Sequence, residues 1–436
     1  MMSVINWESH RLRVGGHHAF HIDGTLSSRS TAFYPTLTTV LNTKLGHLYG
    51  RRDDSWIYNR LSPNYHLSLH PMSQVQILDI RKAKDGPGAI PQLAEEILRG
   101  LLKAPGQRTL PSEILYDEVG LKLYNEGVGT TWTEWYYPFT AEKQILDEHG
   151  HDIAKRLKMS RKGEAVLIEL GAGSLEKTSR ILTSLADMGQ AKGVKMSVQY
   201  YALDLQRSEL VTTLEQLQES IGGRLAGRVS TMGMWGTYDD GIRLIRNNEL
   251  GLEADVPVHV LFLGGTIGNF SKGDGDIAFL RDLPLRPGRG DTLLLGIDRA
   301  KQREIIDRAY NFSAGEEWFM NGLKVAGRAL IGDEGFFGSN DWDRYAEYDE
   351  RIGRLKTGYK SKKDQTLRDN LRGVEVSFSE DEVILVMYSN KYTDSEINFM
   401  LATVGLKVAG SWMDSQAHYY LYALRRETSG RRVVYH

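Results

Sequence analysis

Cysteine is absent from all 436 residues. Disulfides, thiolate nucleophiles and cysteine-ligated zinc are therefore excluded, and a reducing, cytoplasmic location is the expectation. No apolar run approaches the roughly 18 residues that a bilayer span needs. The opening MMSVINWESHRLRVGG lacks the apolar centre of a secretory signal. Charge of one sign is lacking too. With 54 Lys and Arg against 56 Asp and Glu the formal charge is −2, so nothing overall draws the chain to nucleic acid or an anionic membrane. There is no G-x-x-x-x-G-K-[ST] phosphate loop. The hydrophobic content, 41%, is enough to build two domains or one large elaborated one.

Residues 1–71 carry no sustained periodicity. His10, His17, His18 and His21 cluster there without a carboxylate at helical spacing, so the segment reads as a solvated extension rather than a metal site. MSQVQILDIRK, from Met72, reads as the opening strand of a domain. From about 88 to 158 the pattern is helical: IPQLAEEILRGLL, then SEILYDEVGLKLYNEG, then a helix entered after Pro138. From 165 strands and helices alternate. AVLIEL (165–170), SVQYYALDL (197–205), VHVLFLGG (258–265) and DTLLLGID (291–298) are the strands, which predicts an open, mostly parallel α/β sheet buried on both faces. After 300 the rhythm breaks. The basic stretch KTGYKSKKDQTLRDN reads as a solvated loop, TDSEINFMLATVGLKVAGSW as a helix and turn, and VILVMYS and HYYLYALRR as strands.

Chemistry enters at LIELGAGSLEKT (167–178). Gly171 and Gly173 directly follow a buried strand, where glycine lets backbone N–H groups approach a ligand. A dinucleotide fingerprint needs a third glycine, and that position is Glu176. The next strand ends in Asp204, an acid placed to accept both ribose hydroxyls of a nucleoside. Glu169 adds a carboxylate before the turn. Acids repel phosphates and welcome cations, which suits S-adenosylmethionine, a nucleoside bearing a sulfonium and an ammonium but no phosphate.

Further blocks line up in order: LPSEILYDEVGLKLYNE (110–126), WYYPFTAEKQIL (135–146), YYALDLQRSEL (200–210), GMWGTYDDG (233–241), LFLGGTIGNFS (261–271), RAYNFSAGEEWFMNGL (308–323) and SNKYTDSEI (389–397). With them the chain resembles the histidine α-N-methyltransferases of ergothioneine biosynthesis. It is more similar still to their fungal relatives that methylate 4-dimethylallyltryptophan. The resemblance implies a class I, Rossmann-like methyltransferase sheet (141–299 and 392–436) joined to a second, α+β substrate-binding domain (72–140 and 300–391). It also implies a free amino acid as substrate, no nucleic-acid or membrane partner, no metal, and a monomer or homodimer.

Carried over by motif, Gly171, Gly173 and Lys177 fall on the loop for the methionine end of S-adenosylmethionine. Asp204 falls on the ribose, Met234 and Trp235 on the adenine, and Tyr136 on the part that closes over the cofactor. Asn269 and Tyr310 match the pair that anchors the substrate carboxylate, and Tyr116 a tyrosine beside the reacting amine. One departure stands out. Where the histidine enzymes place the glutamate that receives imidazole, two residues before a serine, this chain has Met387 before Ser389. A thioether is a poor acceptor and packs well on aromatic faces. The expected reaction is therefore α-N-methylation of tryptophan or a prenylated tryptophan. Histidine, and cofactor binding without catalysis, are the alternatives.

Overall fold

A computed structural model describes residues 75–82, 89–192, 196–370 and 372–427. The extension expected over 1–71, with His10, His17, His18 and His21, lies outside them. The strands are β1 (Ile77–Asp79), β2 (Glu164–Leu170), β3 (Ser197–Asp204), β4 (Val229–Trp235), β5 (Val258–Phe262), β6 (Thr292–Asp298), β7 (Trp342–Asp349), β8 (Arg354–Ser361), β9 (Gln365–Asp369), β10 (Val374–Phe378), β11 (Val383–Asn390), β12 (Leu406–Met413) and β13 (Tyr419–Arg426). The helices are α1 (Ala89–Leu101), α2 (Glu118–Gly129), α3 (Tyr137–Arg156), α4 (Thr178–Lys192), α5 (Arg207–Leu225), α6 (Tyr238–Arg246), α7 (Gly275–Asp282), α8 (Arg303–Tyr310), α9 (Glu316–Ile331) and α10 (Asp394–Thr403).

Eight strands form one sheet in the order β1-β4-β3-β2-β5-β6-β13-β12. Strands β1 to β6 pair in parallel, and β13 enters antiparallel between β6 and β12. Alternation along β2 feeds both faces. Val166, Ile168 and Leu170 enter one apolar core, while Ala165 and Leu167 enter the other. Helices cover both faces, which is why the central strands read as continuous apolar runs. The strand order reverses between β2 and β5, and ligands of such sheets sit at the carboxyl ends beside that reversal.

The segment after 300 builds a separate core around Leu101, Ile114, Phe319, Tyr359 and Ile384. Its strands form a three-stranded antiparallel sheet, β11-β8-β7, and a β9–β10 hairpin. The α/β reading with an α+β second part thus holds, with three corrections. First, β1 pairs with β4, Leu78 opposite Met234, so the strand at the head of segment 72–140 belongs to the large sheet. Second, the basic stretch is no loop: it forms β8, the centre of its sheet, and β9. Leu355, Thr357, Tyr359 and Ser361 are buried while Lys356 and Lys360 are less so, a period of two that the lysines disguise. Third, LKVAGSWM is the strand β12, not a turn. Among the described residues no helix is long and apolar enough to cross a membrane.

Two buried titratable groups oppose each other in their effect on stability. Glu169 is buried in β2, where Thr178 and Tyr200 hydroxyls donate to it. Burial raises its carboxyl from 4.5 to about 7 against those hydrogen bonds. Burial lowers His259 from 6.5 to about 4, although its Nε2 meets the Lys158 carbonyl at 2.8 Å. As pH rises from 4.5 to 7, the unfolded chain releases the Glu169 proton that the folded chain keeps, so stability is lost with rising pH. His259 acts the other way, its contribution being lost as pH falls from 6.5 to 4. Glu169→Gln should therefore gain on the parent by up to about 3 kcal/mol between pH 4.5 and 7. Urea midpoints across that range measure it, and parallel curves for the two proteins would refute it.

Candidate active site

Strand β2 ends against a turn that only glycine makes without strain. Gly171 and Gly173 have φ of 78° and 55°. The N–H groups of Gly171 and Ala172 donate to the Leu203 carbonyl, and Gly173 N–H donates to Asp204 Oδ2 at 3.3 Å. Leu205 N–H donates to Asp204 Oδ1 at 2.7 Å. Burial holds the Asp204 carboxyl above its ordinary value, and these N–H bonds pull it back. Trp235, opposite Asp204 in the sheet register, is pinned by its Nε1 donating to the Leu205 carbonyl at 2.9 Å and by the Arg81 guanidinium 3.3 Å from its ring centre. Met234 is fully buried in the sheet core. Any contact from Met234 to a ligand must come through its backbone.

Beside Gly173 lies the amide of Asn125, 3.6 Å from the place of an added Cβ. That amide is buried and bonds to the Glu209 carboxylate. A left-handed glycine turn and an acid at the adjacent strand end fit an adenosine ligand without phosphates. Glu169 is not part of this cleft, because its oxygens are occupied by Thr178 and Tyr200. A second fully buried carboxylate, Glu142 of α3, is likewise occupied. Glu142 pairs with Lys177 and accepts from Gly264 N–H at 3.0 Å and from the Tyr419 hydroxyl at 2.8 Å. It ties α3, the turn after β5 and β13 together, and Lys177 serves that hub.

Across Gly264 and Gly265 opens a cavity of about 780 Å³, mouth included. Tyr116, Tyr136, Asn269, Tyr310, Met387 and Ser389 all line it; Gly171, Gly173, Lys177, Asp204, Met234 and Trp235 lie outside its wall. The residues assigned from sequence thus separate into one cavity and a neighbouring row at the ends of β2, β3 and β4.

One end of the cavity is polar. Asn269 sits on the short helical turn Thr266–Asn269. That turn is strapped to β11 by Asn390, whose Nδ2 donates to the carbonyls of Gly268 and Phe270 at 2.8 and 2.7 Å. A Cβ on Gly268 would come within 2.9 Å of the Asn390 carbonyl oxygen, so only glycine allows this approach. Tyr310 closes α8, and its hydroxyl lies 3.1 Å from Ser389 Oγ. Behind them, unforeseen from sequence, Lys391 donates to both hydroxyls at 3.0 Å and to Asp298 at 2.5 Å.

The other end is aromatic. Trp132, Tyr124, Trp318 and Phe312 pack with ring centres 5.4–5.6 Å apart. Their indole N–H groups are satisfied internally, Trp132 by the Ala314 carbonyl and Trp318 by the Leu115 carbonyl, each at 3.0 Å. Met387 and Ser389 line the cavity from alternate positions of β11. Glu382, the nearest glutamate on the same run, is bound to Arg108 at 2.9 Å and does not line the cavity. Arg344, also unforeseen, brings a guanidinium to this end, 5.4 Å from the Phe319 ring centre, and burial lowers it from its ordinary value. Burial pushes the Tyr116 and Tyr136 hydroxyls well above their usual range, so both stay protonated.

Comparison with known proteins shows the family. The family described as histidine-specific methyltransferase, SAM-dependent, matches residues 93–426. An L-tryptophan methyltransferase of Psilocybe serbica is 58% identical over 354 residues, covering 81% of this chain and 98% of that protein. An ergothioneine biosynthesis protein of Neurospora crassa is 32% identical, covering 78% of this chain and 35% of that protein. A 4-dimethylallyltryptophan N-methyltransferase of Claviceps fusiformis is 27% identical, covering 78% of this chain and 94% of that protein.

Proposed function

The chain belongs to the histidine-specific, S-adenosylmethionine-dependent methyltransferase family, and from that premise we propose that it methylates the α-nitrogen of tryptophan or a ring-substituted tryptophan, not of histidine. The observation that carries this reading is the cavity itself. Its polar end offers Asn269, Tyr310 and Ser389, and its far end is an aromatic box in which Met387 stands where the histidine enzymes need an acceptor. An indole fills such a box through ring contacts. An imidazole has a second ring nitrogen to satisfy there and less apolar surface to bury in exchange.

The large sheet with segments 141–299 and 392–427 holds the cofactor, and segments 89–140 and 300–391 hold the amino acid. Gly171 and Gly173 give their backbone to the methionine end, with Lys177 fixing the adjoining turn through Glu142. Asp204 takes the ribose hydroxyls. Trp235 and the Met234 backbone flank the adenine, and Tyr136 covers the cleft. S-adenosylmethionine supplies a methyl group on a sulfonium. The protein's part is alignment. Asn269 and Tyr310 hold the carboxylate, which fixes where the α-nitrogen lies. Tyr116, kept as a neutral hydroxyl, accepts a hydrogen bond from the amine and aims its lone pair. The proton the amine must shed leaves to water.

The test is mass spectrometry of the protein incubated with S-adenosylmethionine and histidine, tyrosine, tryptophan or 4-dimethylallyltryptophan. Methyl groups on the α-nitrogen of tryptophan or its prenylated form, with histidine untouched, are expected. Fastest turnover of histidine would overturn the assignment.

A further inference from the structure

Lys391 is 1% exposed and sits behind the polar end of the cavity without lining it. An ammonium has three protons, and each has a partner: Asp298 Oδ2 at 2.5 Å, Tyr310 Oη at 3.0 Å and Ser389 Oγ at 3.0 Å. Asp298 is anchored through its other oxygen, Oδ1, by the Tyr137 hydroxyl at 2.9 Å and by Ala300 N–H at 3.0 Å. The ammonium therefore stands between a fixed carboxylate and two hydroxyls. Burial alone would lower it, but Asp298 and these hydrogen bonds more than offset that, so it stays charged.

Counting protons gives the consequence. Tyr310 and Ser389 each accept from Lys391, so neither can spend its own proton backwards. Their mutual contact at 3.1 Å uses one of the two hydroxyl protons. Tyr310 also accepts from the Tyr136 hydroxyl, so with its own proton given to Ser389 it is the Ser389 proton that points at the cavity. The wall thus presents a donor, polarised by a buried cation one hydrogen bond behind it. The Asp298 carboxylate lines the same cavity and leaves the pair without net charge, so it is the aimed donor that favours an anion over a neutral group of the same shape.

We propose that Lys391, paired with Asp298, is the positioning residue that makes this site select a free α-carboxylate and reject the corresponding amide or amine. The inference rests on the reading that this end of the cavity receives the substrate carboxylate.

The test compares L-tryptophan with L-tryptophanamide on the parent and on the double variant Lys391→Met, Asp298→Asn. The double change removes both charges together, so neither is left buried alone. The parent should prefer the acid. In the double variant kcat/KM for tryptophan should fall roughly 10–100-fold. The amide and the Kd for S-adenosylmethionine should move by no more than about twofold. Equal losses on both substrates, or an acid preference that survives, would overturn the role of Lys391 alone. A parent without acid preference would instead overturn the carboxylate reading beneath it. Should the double variant fail to fold, Ser389→Ala keeps the ion pair and removes one of the two hydroxyls. A smaller fall in the same ratio supports the proposal, and an unchanged ratio refutes it.

Discussion

Replacing Met387 with glutamate should reverse the substrate preference. The side chain at 387 faces an aromatic box whose indole N–H groups are already bonded to the Ala314 and Leu115 carbonyls. A carboxylate there would lose its hydration against the apolar edge of a bound indole, with the Arg344 guanidinium lining the same cavity to offset it in part. Burying a charge beside an apolar ring costs several kcal/mol before that offset, so kcat/KM for tryptophan should fall by roughly 10–100-fold. For histidine the same group supplies the acceptor that imidazole lacks in the parent. A hydrogen bond to a charged acceptor contributes about 1.5–3 kcal/mol, a gain of roughly 10–100-fold. The ratio of kcat/KM for histidine to that for tryptophan is the readout. A ratio that stays put would mean that residue 387 does not touch the substrate ring. Glu382 does not provide this acceptor in the parent, since its carboxylate is held by Arg108.

The second large effect should come from Asp204→Ala, and it should fall on the cofactor. Asp204 already holds the glycine turn through Gly173 N–H and the next residue through Leu205 N–H. Its remaining acceptor capacity is what a ribose would use. Losing hydrogen bonds to a charged acceptor should raise the Kd for S-adenosylmethionine by roughly 100-fold. The KM for the amino acid, measured at saturating cofactor, should change little. Asp204→Asn keeps one acceptor oxygen and should lose less. Calorimetric titration distinguishes these outcomes. An alanine variant that binds the cofactor normally would remove Asp204 from the site.

The parts of this site that the sequence discloses are those whose chemistry is local. Gly171 and Gly173 follow an apolar strand, and Asp204 ends the next one. Strand ends of a parallel sheet meet in space, so reading them together needs no more than the strand order. Lys391 and Asp298 are 93 residues apart, and nothing in either neighbourhood marks them as partners. Glu142 is hidden for the same reason, lying on a helix that otherwise reads as a surface element. Glu169 misleads in the opposite direction. It is adjacent to the glycine turn in sequence, yet alternation along the strand turns its side chain beneath α4. The β8 lysines misled by composition: they alternate with buried residues, and a count of charges does not register alternation.

The placement of β13 bears on how the protein comes to be made. Residues 419–426 do not trim an edge; they occupy the interior of the large sheet between β6 and β12. Tyr419 also completes the Glu142 hub beside the ligand cleft. Until residue 426 has left the ribosome, β6 keeps an open edge and the turn at Gly264 lacks part of its support. The nascent chain therefore carries an apolar sheet with that edge unsealed from the completion of β6 until β13 emerges, a state in which exposed strand edges invite wrong pairing.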